Sequence, residues 1–261
     1  MSVSPPYPHA PNTPVTFTAN PSAGWVFTGW TINSYREGWP NPLTATVDNR
    51  FTIVANFAQQ GNFPDVPTSS GYYQAIRQMS ARGIIRGYTN GYFGPNDPVQ
   101  RAQAAAFIAR GIPSAINGNS YWDSENWGNP FSDPSGVDPN LWRNVGTLNH
   151  YGVAGDYAQS TCQQRGVPYP CFGPTDSVQE MQVIAFISRA MVNKGYWAWR
   201  PSTCSNYPGV TTLRTELCTY VYYAGGIGFT ASNGYNTGTR GWFAQHWWQA
   251  LNGYWSVDRT P

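Results

Sequence analysis

Charge is what this chain has least of. Only 11% of its 261 residues are Asp, Glu, Lys or Arg, against about 25% in ordinary soluble domains. Lys194 is the sole lysine, no run of basic residues exists, and the net charge is +2. Wrapping a polyanion needs clustered cations, so nucleic acid is excluded as a partner. No apolar run approaches the ~18 residues of a membrane helix, and no membrane span is expected. The start, MSVSPPYPHAPNTP, is Pro-rich and lacks the apolar stretch of a secretory leader, which fits a trimmed form or a non-standard route of export. Histidines are few and scattered (His9, His150, His246), and none of the cysteines stands in a C-x-x-C pair. No metal site and no cofactor are expected. G-x-S-x-G, H-E-x-x-H and phosphate-loop patterns are all missing. The acids Asp123 and Glu125 fall in a stretch, Tyr121–Pro130, that reads as an irregular linker. No catalytic residues are assigned, and the chain is not expected to be an enzyme.

In place of charge there are aromatics, at 16% of residues, with 12 Trp and 17 Tyr. A surface built from amides, hydroxyls and rings suits an exported protein that meets sugars or other protein copies. Gly (27) and Pro (22) foretell many tight turns. The four cysteines, Cys162, Cys171, Cys204 and Cys218, read as disulfides formed in an oxidising compartment.

Residues 14–58 alternate with period two. Val15, Phe17 and Ala19 are interleaved with Thr16 and Thr18; Trp25 to Trp30, Leu43 to Val47 and Phe51 to Phe57 continue the pattern between turn signals. Four short antiparallel strands are predicted, with Trp25, Trp30 and Phe57 in their core. Trp39, in the loop Arg36–Pro42, could touch a ligand if exposed, although packing is the favoured role for the module's aromatics.

The remainder is repetitive. Phe63-Pro64-Asp65-Val66 returns as Phe131-Ser132-Asp133-Pro134 and more loosely as Tyr207-Pro208-Gly209-Val210. Tyr73, Ile76 and Met79 fall on Trp142, Val145 and Leu148, a constant offset of 69 that also carries Tyr88 onto Tyr157. Each stretch reads as a helix closed by a glycine, Gly83 or Gly152. Phe93-Gly94-Pro95 then returns as Phe172-Gly173-Pro174, an offset of 79, so the second copy carries ten extra residues bounded by Cys162 and Cys171. A Cys162–Cys171 bridge would staple that insertion and leave Cys204–Cys218 for the third copy, although four cysteines allow three pairings. Second helices are predicted to start at Asp97-Pro98-Val99-Gln100 and Asp176-Ser177-Val178-Gln179, with Asp as N-cap and Gln at the third helical position. The third copy's second helix would run from Arg240 to Leu251, with Trp247 and Trp248 in the core or on an oligomer face.

The stretch V-T-F-T-A-N-P…G-W-V-F-T-G-W-T…T-I-V-A-N-F resembles the internalin-type B-repeat, a spacer or stalk module of bacterial surface proteins. The run FPDVP…YYQAIRQMSARGIIRGYTNGYFGPNDPVQRAQAAAFIARGI resembles an S-layer-homology domain. That resemblance implies three tandem repeats in one three-pronged bundle, binding secondary cell-wall polysaccharide, often with a pyruvyl ketal, between the prongs. The family's Thr-Arg-Ala-Glu signature opens the second helix, where its Arg faces the acidic sugar. Here it reads Gln100-Arg101-Ala102-Gln103, Gln179-Glu180-Met181-Gln182 and Thr239-Arg240-Gly241-Trp242. Arg is kept twice and replaced by a repelling Glu once. An Arg beside free helix-start N–H groups would hold an anion bidentately.

The expected architecture is therefore α+β in two domains. A Pro-rich segment (1–13) and a small antiparallel β module (14–58) precede a mainly α-helical pseudo-threefold bundle (63–261) of three helix-loop-helix repeats, about 63–115, 131–193 and 207–261. The expected function is that of an extracellular surface protein held non-covalently to cell-wall polysaccharide. Its glycan-binding candidates are Arg101, Arg240, Gln103, Asp65, Trp142 and Gly87; packing, capping and turn geometry offer structural roles for the same residues. The competing reading is a structural subunit of a lattice, filament or shell that self-associates through the same scaffold.

Overall fold

The structure, a computed structural model, describes residues 2–4, 10–33, 35–36, 41–47, 52–113, 121–196 and 236–256. Trp39, Cys204, Cys218 and the third copy's entry at Tyr207 lie outside the described residues.

The N-terminal module holds two three-stranded antiparallel sheets. One is ordered β1 (Ser2–Ser4), β2 (Thr13–Thr18), β5 (Leu43–Val47); the other is β4 (Tyr35–Arg36), β3 (Trp25–Ile32), β6 (Ile53–Gln59). Four strands are where the alternating pattern places them. The additions are the two-residue β4, paired with the end of β3, and β1, which pairs Ser2–Ser4 with Thr18–Thr16 and draws part of the Pro-rich start into the sheet. Val15, Phe17, Phe27 and Trp30 from the two sheets share one core. Period two breaks inside β3, where Phe27 pairs with Phe57 but Gly29 with Asn56. This bulge turns Phe27 and Trp30 to the same side, with ring centroids 4.9 Å apart. Trp25, expected inside, is 42% exposed instead, because it pairs with Gln59 at the end of the ladder, beyond the core.

Helices make up the rest: α1 (Tyr73–Ala81), α2 (Arg101–Gly111), α3 (Pro139–His150), α4 (Gln159–Gln164), α5 (Glu180–Asn193) and α6 (Arg240–Ser256). The described residues thus form an α+β chain, a β module followed by a helical region. Arg82, just past α1, joins the two by donating 2.7 Å to the Phe27 carbonyl of β3. Gly61, at the junction, has no room for a Cβ beside Ser80 of α1. Gly83 and Gly152 close α1 and α3 with φ of 73° and 64°, the C-caps expected of them.

All the helices but the short α4 share a single core. Helix α2 is its centre; its alanines are buried nearly all round and admit close neighbours. The Trp247 indole donates 3.0 Å to the Phe107 carbonyl, and Gly111 is glycine because a Cβ would run into that indole. Trp247 is therefore core. Within Tyr121–Pro130 the first part is packed rather than irregular: a 3-10 turn (Trp122–Ser124) buries Trp122, which stacks on Tyr151 at 4.1 Å, while residues 126–130 have no regular structure, as expected.

In the first two copies the second helix starts three residues later than local signals indicate, whereas in the third α6 starts at Arg240 as expected. The N-caps are Gln100 and Gln179, closed by reciprocal bonds with Gln103 and Gln182. The reason is tertiary. Residues 98–100, 177–179 and 237–239 stay extended and meet one another. Val99 N–H donates to Gly238 O (2.9 Å), Gly238 N–H to Val178 O (2.7 Å), and Val178 N–H to Val99 O (2.9 Å). This closed ring of three hydrogen bonds outcompetes the earlier helix start that Asp97-Pro98 would allow.

Candidate functional site

Around that ring, each helix start is set into a loop from another part of the chain. Arg101 N–H donates to Asp176 O and Ala102 N–H to Pro174 O; Arg240 N–H donates to Asp97 O and Gly241 N–H to Pro95 O. Glu180 N–H takes Asn236 O. The free helix-start N–H groups expected to attract an anion are thus occupied by backbone carbonyls.

Two crevices follow from this docking, built alike from residues far apart in sequence. In one, Arg240 is 2% exposed. Its Nε donates 2.8 Å to Phe93 O, its Nη2 2.7 Å to Arg86 O, and its Nη1 3.2 Å to Gln103 Oε1. The guanidinium lies 4.4 Å from the Tyr88 ring centroid. In the other, Arg101 is 4% exposed. Its Nε donates 2.8 Å to Phe172 O and its Nη2 3.0 Å to Gly155 O, and it lies 4.6 Å from the Tyr157 centroid. Burial lowers the pKa of both arginines. Carbonyl acceptors and ring faces compensate for the lost water.

Each crevice wall is tied by an aspartate at the head of its repeat. Asp65 accepts from Phe93 N–H (2.9 Å) and Gly94 N–H (2.7 Å); Asp133 accepts from Phe172 N–H (2.8 Å) and Gly173 N–H (2.7 Å). Burial works to raise the Asp65 carboxyl, but these two N–H donors and the nearby Arg240 hold it below the usual range. The tyrosines close the pattern, Tyr88 donating 2.9 Å to Asp97 and Tyr157 2.8 Å to Asp176. Gly94 and Gly173 have φ of 69° and 67°, and a Cβ on either would strike that same tyrosine and aspartate.

The crevices differ on their outer side. Tyr88 is 37% exposed, beside the exposed Tyr92. Over Tyr157 stands a second guanidinium, Arg165, 4.8 Å from the ring centroid and paired with Asp176 at 2.7 Å. Arg165 belongs to the ten-residue insertion. It follows α4, whose Cys162 is disulfide-bonded to Cys171.

The remaining candidates are spread out. Gln103 is inside, bonded to Arg240 and to Gln100 N–H. Gly87 leaves room for the Phe63 ring and the Tyr92 carbonyl, contacts of packing. Trp142 is half-buried, edge-on to Phe131 at 6.5 Å. Glu180 occupies the position of the two arginines in the second repeat. It is buried, its Oε2 has no hydrogen-bond partner among the described residues, and desolvation raises its pKa. Tyr88, Tyr157 and Arg165 were not among the expected site residues. The constant offset that aligns the two tyrosines was the available signal.

Residues 62–105 match the family model of the S-layer homology domain, and residues 2–61 match that of the divergent InlB B-repeat domain. No curated protein matches the chain. The chain therefore carries a B-repeat module followed by an S-layer homology domain, which makes it a cell-surface protein anchored to the cell wall. S-layer homology domains bind secondary cell-wall polymers, and neither matched module is catalytic. No helix among the described residues is long and apolar enough to cross a membrane.

Proposed function

We propose that the chain is held to the wall by secondary cell-wall polysaccharide bound at crevices between neighbouring S-layer-homology repeats, the B-repeat module serving as a spacer. The matched segment, 62–105, is the first repeat. Residues 131–193 supply the second, and the helix from Arg240 belongs to the third, the described parts closing around a pseudo-threefold axis. What supports the closure is the cyclic bonding of Val99, Gly238 and Val178.

The observation that carries the binding reading is the crevice itself, built twice with one plan: aspartate to loop N–H groups, tyrosine to aspartate, arginine beneath the ring. Tyrosine faces suit the apolar faces of pyranose rings, and carboxylates beside them accept sugar hydroxyls. Arg101 and Arg240 act here as braces that fix the tyrosines, since their donors are engaged with carbonyls. A neutral sugar unit fits such a face better than a pyruvyl carboxylate, which Asp65 and Asp97 would repel. Asp65 and Gln103 belong to the same bracing, Gly87 shapes the crevice wall, and Trp142 flanks the second repeat.

Sedimentation with wall sacculi from the source organism tests this. The chain should pellet with native sacculi, and acid removal of the secondary polymer should abolish pelleting. Equal pelleting with stripped sacculi would refute the polysaccharide reading. Failure to pellet with either, together with open-ended oligomers in light scattering, would assign the scaffold to protein–protein assembly.

A further inference from the structure

The two crevices share a plan but not an outer surface. Tyr88 presents its ring to solvent, with Tyr92 alongside and Asp97 bound to its hydroxyl. At Tyr157 the equivalent surface is taken by Arg165, whose side chain is 40% exposed, so that it lies between the ring and solvent. Its position is fixed from three directions. The Arg165 N–H ends α4 on Thr161 O and Cys162 O; Gly166 turns the chain with φ of 67°; and Val167 N–H returns to Cys162 O. Cys162 itself is locked to Cys171, next to Phe172 of the crevice wall. The first repeat has no counterpart, because the ten residues that bring Arg165 are absent from it.

From this difference we infer that the disulfide-stapled insertion is a built-in plug: Arg165 occupies the sugar face of the second crevice, and the wall polymer is read at Tyr88, through a neutral pyranose stacked on its ring. The inference rests on the polysaccharide reading above and adds which crevice does the binding. A guanidinium over a tyrosine uses the same ring face that a pyranose would use, and its ion pair with Asp176 also takes up the carboxylate that would accept sugar hydroxyls. Arg165 thus satisfies, from within the chain, both contacts that Tyr88 and Asp97 leave for a ligand.

Hydroxyl-radical footprinting read by mass spectrometry at single tyrosines tests this. The full chain is used, with and without polysaccharide released from sacculi; co-pelleting with polymer-coated beads reports binding separately. In the free chain Tyr88 should oxidise faster than Tyr157. Added polymer should protect Tyr88 and leave Tyr157 unchanged. Arg165→Ala, a surface change, should raise the reactivity of Tyr157 and make it protectable, with about tenfold tighter apparent binding to multivalent beads as a second contact is gained. Cys162→Ser/Cys171→Ser should act in the same direction. The inference is overturned if polymer binds but protects both tyrosines equally in the unaltered chain, if it protects neither, or if Arg165→Ala leaves Tyr157 as unreactive as before. Absence of bead binding would instead overturn the polysaccharide reading and the ligand assignment with it, while the reactivities in the free chain would still report on the plug.

Discussion

His246 gives the fold a specific weakness in acid. It lies on α6, is 8% exposed, and stacks on Trp242 with centroids 3.8 Å apart. Its Nδ1 is 2.7 Å from the Trp242 carbonyl, which can only accept, so Nδ1 carries the hydrogen. Burial pushes its pKa from 6.5 down to about 4, against a smaller opposing effect of that carbonyl. The folded state holds the ring neutral, while the unfolded chain takes up a proton below about 6.5. The stabilisation is complete above that pH and is lost as pH falls from 6.5 through 4. At about 1.4 kcal/mol per pKa unit, the gap corresponds to about 3 kcal/mol, most of it lost between pH 7.5 and 4.5. Urea unfolding followed by tryptophan fluorescence, at several pH values, would measure it in the parent and in His246→Gln. The variant should be less stable at pH 7.5, and its pH profile should be flatter than the parent's by that amount. Parallel profiles would refute the reasoning, since they would mean that the imidazole titrates alike in both states.

Three further outcomes follow from the crevices. Asp65→Ala and Asp133→Ala each strip two backbone N–H groups of a charged acceptor, and each should cost about 2–3 kcal/mol in chemical denaturation, with Asp→Asn costing less. Gly94→Ala and Gly173→Ala place a side chain at positive φ and into a tyrosine–aspartate pair; a loss of more than about 1 kcal/mol is expected, seen as a lower thermal midpoint. Glu180→Gln should do the opposite at neutral pH. Burial raises its pKa above the ordinary 4.5, so the ionised form costs more in the fold than in the unfolded chain; the amide should raise the midpoint at pH 7 and leave it unchanged at pH 3.5.

Local signals in the chain translated well into local structure. Alternation in 14–58 marked four of the strands, and the glycines Gly83 and Gly152 ended α1 and α3 as expected. The ten-residue offset change located the insertion, and the Cys162–Cys171 disulfide closes it. What could not be read locally is the docking between distant segments. Asp97-Pro98 carries a good helix-start signature, yet the extended bridges of Pro98 to Thr239 and Gln100 to Ser177 win, and the helix starts at Arg101. The partners of Arg101 lie 54 and 71 residues away, and the backbone partners of Arg240 147 and 154. No short window shows that these arginines are enclosed and that two tyrosines take the outer position. Trp122 is a similar case: an apolar ring in an Asn- and Gly-rich stretch became a packed turn because Tyr151 of the neighbouring repeat element stacks on it.

The claim that matters most is that this surface protein recognises the polymer of the wall. Calorimetric titration of the full chain with polysaccharide released from sacculi, beside a digest of the polymer-free peptidoglycan, tests it most directly. Saturable binding of the released polysaccharide, with none to the peptidoglycan digest, is the predicted result. Binding to the peptidoglycan digest alone, or to neither, would contradict it.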